Sequence, residues 1–490
     1  MSRSSLFHPV FKSTTISITT TTVPRILGSG VLFHLVRPRC FGMASTQSSK
    51  QSWFYVLFLE GTSVFDAWLN SSSFQVSQVL LTLPYSFAQL GFVSGIAYQI
   101  LYAAMGCWSC YMTSSLYVIY REKRAMRANT FVDYEAQSIL WYEVLDGLLG
   151  SNWKLAGLVV NLGYQILTCV IFLVGCSSLS YLLNSYVDKR TWTILLVFCF
   201  ILIVFIPRAQ HYRIWSCIGI VATSYTAWYI TIATIYHGKN SNATHSAPNN
   251  TAGYFVGATN LLYTFGGHAV TIEIVDAMKK PEKFKTVYFY CSAYILTLTL
   301  PSAIAVYWAF GDSMAHHAYS IVVLPDSMFR VTAIVLMLVH QFMQFGFLSL
   351  PVFMKWERLL GIHGSSNYYL KSISRIPVVL VMWFVAIMVP FIGLIDSVVG
   401  AVFASFSVYV LPCTAHMVLF KSSSYRMISV EQPPSWMPWN WIGMYCVNLA
   451  VVLWVLIVGV GFGGWASLVA LRHNINSFGL FPQCYQCKSS

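Results

Sequence analysis

Apolar positions in this chain run in stretches of about 20 residues, the length of an α-helix that crosses the hydrocarbon core of a bilayer. Eleven such stretches occur, centred near residues 82, 105, 167, 200, 224, 266, 297, 341, 383, 407 and 453. They predict an all-α polytopic membrane protein. Two of them are interrupted. Residues 78–87, QVLLTLPYSF, contain Pro84, which removes a backbone donor and clashes with the preceding turn. Residues 259–278, TNLLYTFGGHAVTIEIVDAM, break at Gly266-Gly267-His268. An unsatisfied backbone group in hydrocarbon costs several kcal/mol, so a broken helix persists there only where protein or ligand takes up the freed groups. Interrupted spans in corresponding halves of a chain point to a transporter's binding site.

Composition agrees with the pattern. Hydrophobic residues make up 57% of the chain and charged residues 9%, against about 25% charged in a soluble domain. The basic residues then set the topology, because cytoplasmic loops carry the excess of Lys and Arg. With the N-terminus cytoplasmic, the inner loops hold 17 basic residues, among them REKRAMR at 121–127 and KKPEKFK at 279–285, and the outer loops hold 6. The sequons at Asn242 and Asn249 then fall outside, and so does the C-terminus. The net charge of +13 is a surface for anionic lipid rather than for nucleic acid.

Three regions follow: an atypical N-terminal segment 1–59, an eleven-helix domain 60–470, and an outer tail 471–490. The first 50 residues hold six Lys or Arg and no Asp or Glu, with a Ser/Thr run, STTISITTTT. That composition fits an organellar transit peptide, a mis-assigned exon or a disordered cytosolic tail, and nothing in it enters the functional reading. The twelve cysteines lie mostly in apolar stretches and form no disulfide framework. Cys107 and Cys110 read as packing residues, and Cys484 and Cys487, in the outer tail, as structural. No phosphate loop GxxxxGK[ST], no HExxH, no GxSxG and no dinucleotide fingerprint is present, so neither an ATP-driven pump nor an enzyme is expected. GFGG at 461–464 reads as small residues that let helices pack closely.

Ionisable groups at membrane depth are costly and usually functional. His268 stands first among them, beside a helix break at the expected midplane. His340 and His416 lack glycine breaks nearby and read as satisfied core histidines. Glu273 and Asp276, followed by Lys279 and Lys280, read either as a gate-like ion pair or as an interfacial salt bridge. Asp396 opens the tenth stretch near the outer interface. Gln78, Thr82, Gln165, Gln341 and Gln344 are placed to donate to a ligand or to neighbouring helices.

Longer segments carry a resemblance. DAWLNSSSFQVSQVLLTLPYSFAQLG (66–91), WYEVLDGLLGS (141–151), GATNLLYTFGGHAVTIEI (257–274), VLIVGVGFGGWAS (455–467) and FGLFPQCYQCK (478–488) resemble the plant auxin influx carriers of the amino acid/auxin permease family. The resemblance runs from about residue 60 to the end. It implies a LeuT-like fold of 5+5 inverted helices plus an eleventh, with broken first and sixth helices and a pocket completed by the third and eighth. It also implies proton-coupled uptake of indole-3-acetic acid across the plasma membrane, with the proton as coupling ion and no further cofactor. The histidine of its FGGHAV motif, here His268, is tied in the family to substrate recognition and transport. An aromatic carboxylate needs a flat apolar slot and a local positive field. Half-helix N-termini and their free amides supply part of that field, a protonated imidazole supplies the rest, and Gly266 and Gly267 stand among the substrate-binding candidates. Tyr85, Phe265 and Tyr263 are the candidates for the ring side. The chain departs from the family pattern at Phe74, Phe172 and Leu179, where the family has amide side chains, and at Gln344, where it has a small hydroxyl residue. Those changes leave the exact substrate open, and a proton-coupled amino-acid permease of the same superfamily is the alternative.

Overall fold

The computed structural model describes residues 63–127, 139–205, 212–248, 250–365, 367–429, 432–483 and 485. The segment 1–59, Asn249, Cys484 and Cys487 therefore lie outside the described residues. Among those described, every regular element is helical. In chain order these are α1 (Val64–Gln75), α2 (Val79–Leu90), α3 (Phe92–Arg127), α4 (Trp141–Leu149), α5 (Ser151–Leu183), α6 (Lys189–Ile203) and α7 (Tyr212–His237). They continue with α8 (Thr251–Thr264), α9 (Thr271–Asp276), α10 (Phe284–Phe310), α11 (Met328–Leu359), α12 (Tyr368–Met388), α13 (Ile392–Leu419) and α14 (Trp441–Phe478), with a short helix, Ser423–Ile428, between the last two.

The eleven centres expected from the sequence fall on these helices or, at residue 266, in the gap between α8 and α9. Seven of the described helices are long and apolar enough to cross a membrane unaided. The others have local reasons for falling short. α1 with α2 and α8 with α9 are halves of interrupted spans, α6 has only 15 residues, and α3 is diluted by serines, tyrosines and the charged REKRAMR end.

The first interruption is not at Pro84. Pro84 lies inside α2, and the chain unwinds about two turns earlier, at Val76, Ser77 and Gln78. The bond that a proline cannot make is to the residue four before it, here Leu80 within α2, so Pro84 alone does not set the break; of the unwound residues Ser77 and Gln78 face a cavity and Val76 is buried. α1 is fixed upstream by a capping box: the Ser63 hydroxyl accepts from the Asp66 amide at 3.2 Å, and the Asp66 carboxylate accepts from the Ser63 amide at 2.8 Å. α2 ends at Gly91, whose φ of +80° is open to glycine, and a Cβ there would stand 2.7 Å from the Ala247 carbonyl oxygen.

Packing brings the interrupted spans together. α2 lies along α8, α10 supports α1, α2, α3 and α7, and α11 packs across α5 and α7. α13 and α14 each contain a wide π-helical stretch, Val399–Val410 and Val455–Gly463, and both stretches rest on α8. The GFGG run does let helices approach: a Cβ on Gly463 would lie 2.1 Å from the Thr259 methyl.

Candidate functional site

Two helix breaks meet at the centre of the bundle. α8 stops at Thr264, Phe265 and Gly266 leave the helix, and a 3-10 turn over Gly267–Val270 leads into α9. The carbonyls freed by this break are collected by tyrosine hydroxyls. Tyr164 of α5 donates to Gly266 at 2.9 Å, Tyr409 of α13 to Leu262 at 3.2 Å, and Tyr288 of α10 to Phe265 at 3.4 Å. The break is thus held from three sides, which is what a dry surrounding demands of unpaired backbone.

Facing it, α2 begins at Val79 with Gln78 as its N-cap, and the Gln78 side chain makes no capping bond. The start of an uncapped helix presents amides and the positive end of its dipole to whatever lies ahead. Ahead lies a small cavity of about 20 Å³, lined by Phe74, Gln75, Ser77, Gln78, Val79, Tyr164, Thr168, Phe172, Tyr263, Thr264 and Gly267. That is space for about one water molecule, so the polar groups are packed close together.

Those polar groups are short of partners. Both amide atoms of Gln78 and of Gln341 are buried without a hydrogen bond, and so is the amide nitrogen of Gln75. Gly175 makes their convergence possible, since a Cβ on it would stand 2.2 Å from the Gln341 oxygen and 2.6 Å from the Gln78 oxygen. Buried amides are nearly always satisfied in native proteins, so such a cluster has hydrogen-bonding capacity to offer water or a polar ligand.

The end of α9 is tied differently from the sequence expectation. Asp276 accepts from the Tyr117 hydroxyl at 2.6 Å and from the Ile139 amide at 3.0 Å. Both Glu273 carboxyl oxygens are buried without a hydrogen bond, and Lys279 and Lys280 are exposed. Neither acid forms an ion pair with those lysines, because the lysines stay in water while the carboxyls turn into the bundle. Asp396 is likewise buried within the protein, with 3% exposure.

The sequence profile described as transmembrane amino acid transporter protein matches residues 60–458. Auxin transporter-like protein 3 of Arabidopsis thaliana is 49% identical over 441 residues, covering 90% of this chain and 93% of the relative. Auxin transporter protein 1 of the same plant is 50% identical over 428 residues, covering 87% of each. The chain belongs to the amino acid/auxin permease family, with the plant auxin influx carriers. The crystal structure of MhsT in complex with L-phenylalanine superposes on this permease with a TM-score of 0.58 at 12% identity, covering 82% of this chain and 99% of that one. The fold is thus the LeuT-like one that the resemblance implied.

Of the residues singled out from the permease's sequence, Gln78, Tyr263 and Gly267 line the cavity, and Gly266 binds its wall through Tyr164. Gln341 reaches Gly175 beside it. His268 stands on the 3-10 turn by its backbone, and its side chain lies outside the described residues. Phe265 is fully buried behind the break. The structure does not bring the others to the cavity. Thr82 donates to Val79 of its own helix at 3.3 Å, because a hydroxyl inside a helix reaches back to the preceding turn. Tyr85 packs toward Gly393 of α13, one turn further along α2. Gln165 is buried one helical position away from the cavity-facing Tyr164. Gln344 bonds Ser73 and His340, both at 2.9 Å, and so joins α11 to α1. His340 also has Ser73 at 3.2 Å, but its Nδ1 is unpaired, so it is only half-satisfied.

Gln75, Ser77, Tyr164, Thr168 and Thr264 were missed. Tyr164, Thr168 and Phe172 follow one another at four-residue spacing, the signature of a single helix face. Of the departures from the family pattern, Phe74 and Phe172 line the cavity, whereas Leu179 is buried elsewhere.

Proposed function

We propose that this permease is a proton-coupled symporter that carries indole-3-acetic acid into the cell across the plasma membrane, with its N-terminus cytoplasmic and its C-terminus outside. The observation that carries this reading is the meeting of two helix breaks on one small cavity, with the unpaired amide of Gln78 on its wall and that of Gln341 converging with it at Gly175. Half-identity to proteins named auxin transporters supplies the substrate class. The substrate's carboxylate is assigned to the uncapped start of α2 and the amides of Gln78 and Gln341. Its indole ring is assigned to the faces of Tyr164, Tyr263, Phe74 and Phe172. His268 is assigned the coupling proton, since an imidazole titrates between the acidity of a plant cell's exterior and that of its cytosol. Inward movement of an anion is opposed by a negative interior, and an accompanying proton offsets that cost. The excess of basic residues in alternate loops supports the orientation.

The cavity is far too small for an indole ring, so loading requires the bundle to open on one side and close on the other. The tie from Asp276 to Tyr117 and Ile139 is assigned to the inner closure.

The test is uptake of radiolabelled indole-3-acetic acid into oocytes at acidic and at mildly alkaline external pH, with unlabelled aromatic amino acids as competitors. Saturable, acid-stimulated uptake that the amino acids leave untouched is expected, and His268→Ala is expected to abolish the acid stimulation at unchanged surface abundance. Uptake that amino acids abolish and indole-3-acetic acid does not would assign the chain to the amino-acid permeases instead.

A further inference from the structure

Asp396 lies in the second turn of α13, buried within the protein, and its Oδ1 has no hydrogen-bond partner. Its neighbour Ser397 fixes this turn in place, meeting the Thr259 hydroxyl of α8 at 2.7 Å and the Ser467 hydroxyl of α14. Two spaces flank the carboxyl. Tyr164 and Tyr263, whose phenols lie within reach of its charge, line the central cavity. Tyr319, which lies within reach of it too, lines a larger space of about 380 Å³. Ile392, one turn before Asp396 on the same face of α13, lines that larger space as well. Along α5 the two spaces are roughly 9 Å apart, from Phe172 to Ser178 at 1.5 Å rise per residue. Asp396 therefore stands between them, on the wall of neither.

Its surroundings hold no counter-charge among the described residues. α5, α8 and α14 pack against this part of α13. From α5 comes Tyr164, from α8 Tyr263, from α14 Ser467 beside it, and from the loop before α11 Tyr319. α2 adds Tyr85, which packs against Gly393. Arg472 and His473 of α14 are exposed, and among the described residues no lysine, arginine or histidine acts on the carboxyl. A carboxylate without a counter-charge is costly away from water, and ionisable groups at membrane depth usually serve function. The charge, when present, also reaches the place where an anion must sit. Like unit charges about 10 Å apart inside a protein change a binding constant by about tenfold or more.

We propose that Asp396 is a specificity-determining residue of this permease, whose carboxylate repels an anionic substrate from the central cavity and whose acid form admits it. A proton taken onto a carboxylate oxygen, from the solution that supplies the anion, thus precedes the anion and is separate from the proton assigned to His268. This inference rests on the transport reading for the charge of its ligand.

The experiment is equilibrium binding of radiolabelled indole-3-acetic acid to the purified full-length chain in lipid nanodiscs, at mildly acidic and mildly alkaline pH, both above the titration of the ligand's own carboxyl. The wild type and Asp396→Asn are expected to bind alike at acidic pH. At alkaline pH Asp396→Asn, which cannot ionise, is expected to bind about tenfold more tightly than the wild type. Asp396→Glu, which keeps a titrating carboxyl, follows the wild type at both. Asp396→Ser, smaller and equally neutral, follows Asp396→Asn and takes its place should the amide variant not fold. Neutral variants that bind no more tightly than the wild type at alkaline pH, or that weaken binding by the same factor at both, overturn the inference and leave the transport reading standing. No binding by the wild type at either pH overturns the transport reading and the inference with it.

Discussion

Gln78 and Gln341, from the broken first span and from α11, turn their amide oxygens toward the same glycine. A Cβ on Gly175 would stand 2.6 Å from one and 2.2 Å from the other. The atoms in the way are the far ends of flexible side chains, not backbone, so they can swing aside. Gly175→Ala is therefore expected to spare the fold and spoil the site. Uptake should fall about tenfold or more, the effect of misplacing groups that must hold a ligand by hydrogen bonds, while the melting temperature of the purified protein stays near that of the wild type. A large drop in melting temperature with normal residual affinity would instead make Gly175 a packing residue.

Tyr164 holds the break of the other interrupted span by its 2.9 Å bond to the Gly266 carbonyl. Tyr164→Phe removes the donor and leaves that carbonyl buried, at a cost of about 1–3 kcal/mol. The loss falls on the turn that carries His268, so both stability and uptake are expected to decline, uptake more steeply. Thermal melting and uptake kinetics on the same preparation check the two together, and a variant indistinguishable from wild type in both would remove the tyrosine from the support of the break.

The fold was legible because apolar length and glycine placement are local properties. The break at Gly266-Gly267 lies where its glycines stand, and the hydropathy centres lie on helices. The first break, at Val76–Gln78, lies about two turns before Pro84; the bond that a proline cannot make reaches only to Leu80, so Pro84 alone does not mark where the chain unwinds. Site residues were less legible. On α5 the polar Gln165 drew notice, while the cavity is faced by Tyr164 and Thr168, one helical position away and a turn further on, and sequence alone does not say which face of a helix buried all round looks at the ligand. The Glu273 and Asp276 carboxyls were adjacent in sequence to two lysines, yet adjacency along a helix end does not bring charges together when the lysines can stay in water.

Asp276 and Tyr117 close the α9 end of the molecule, with the Ile139 amide as third partner. A hydrogen bond to a charged carboxylate contributes about 1.5–3 kcal/mol. Removing the phenol in Tyr117→Phe should shift the population toward the state open at this end by roughly tenfold or more. Cysteine labelling by a reagent applied from the α9 side, at a position engineered on the central cavity, is expected to speed up, with substrate slowing it again. An unchanged labelling rate would mean that the tie holds the helix end without gating it.

Glu357 anchors the same half of the bundle in another way. Its buried carboxylate accepts from Arg375 at 2.6 and 2.7 Å and stands 2.9 Å from the His363 Nδ1, while Arg375 also donates to the Val204 carbonyl at 3.0 Å. One ion pair thus fastens α11, α12 and the end of α6. Both partners are nearly hidden from solvent, at 2% and 9% side-chain exposure, so removing one leaves a buried charge without its counter-ion. Glu357→Ala is expected to destabilise the protein by about 3–5 kcal/mol, seen as a lower melting temperature in detergent. The double variant Glu357→Ala, Arg375→Met should recover much of the loss, because it removes the stranded guanidinium along with the pair. If the single variant melts with the wild type, the pair contributes no net stability and the three helices are held by apolar packing alone.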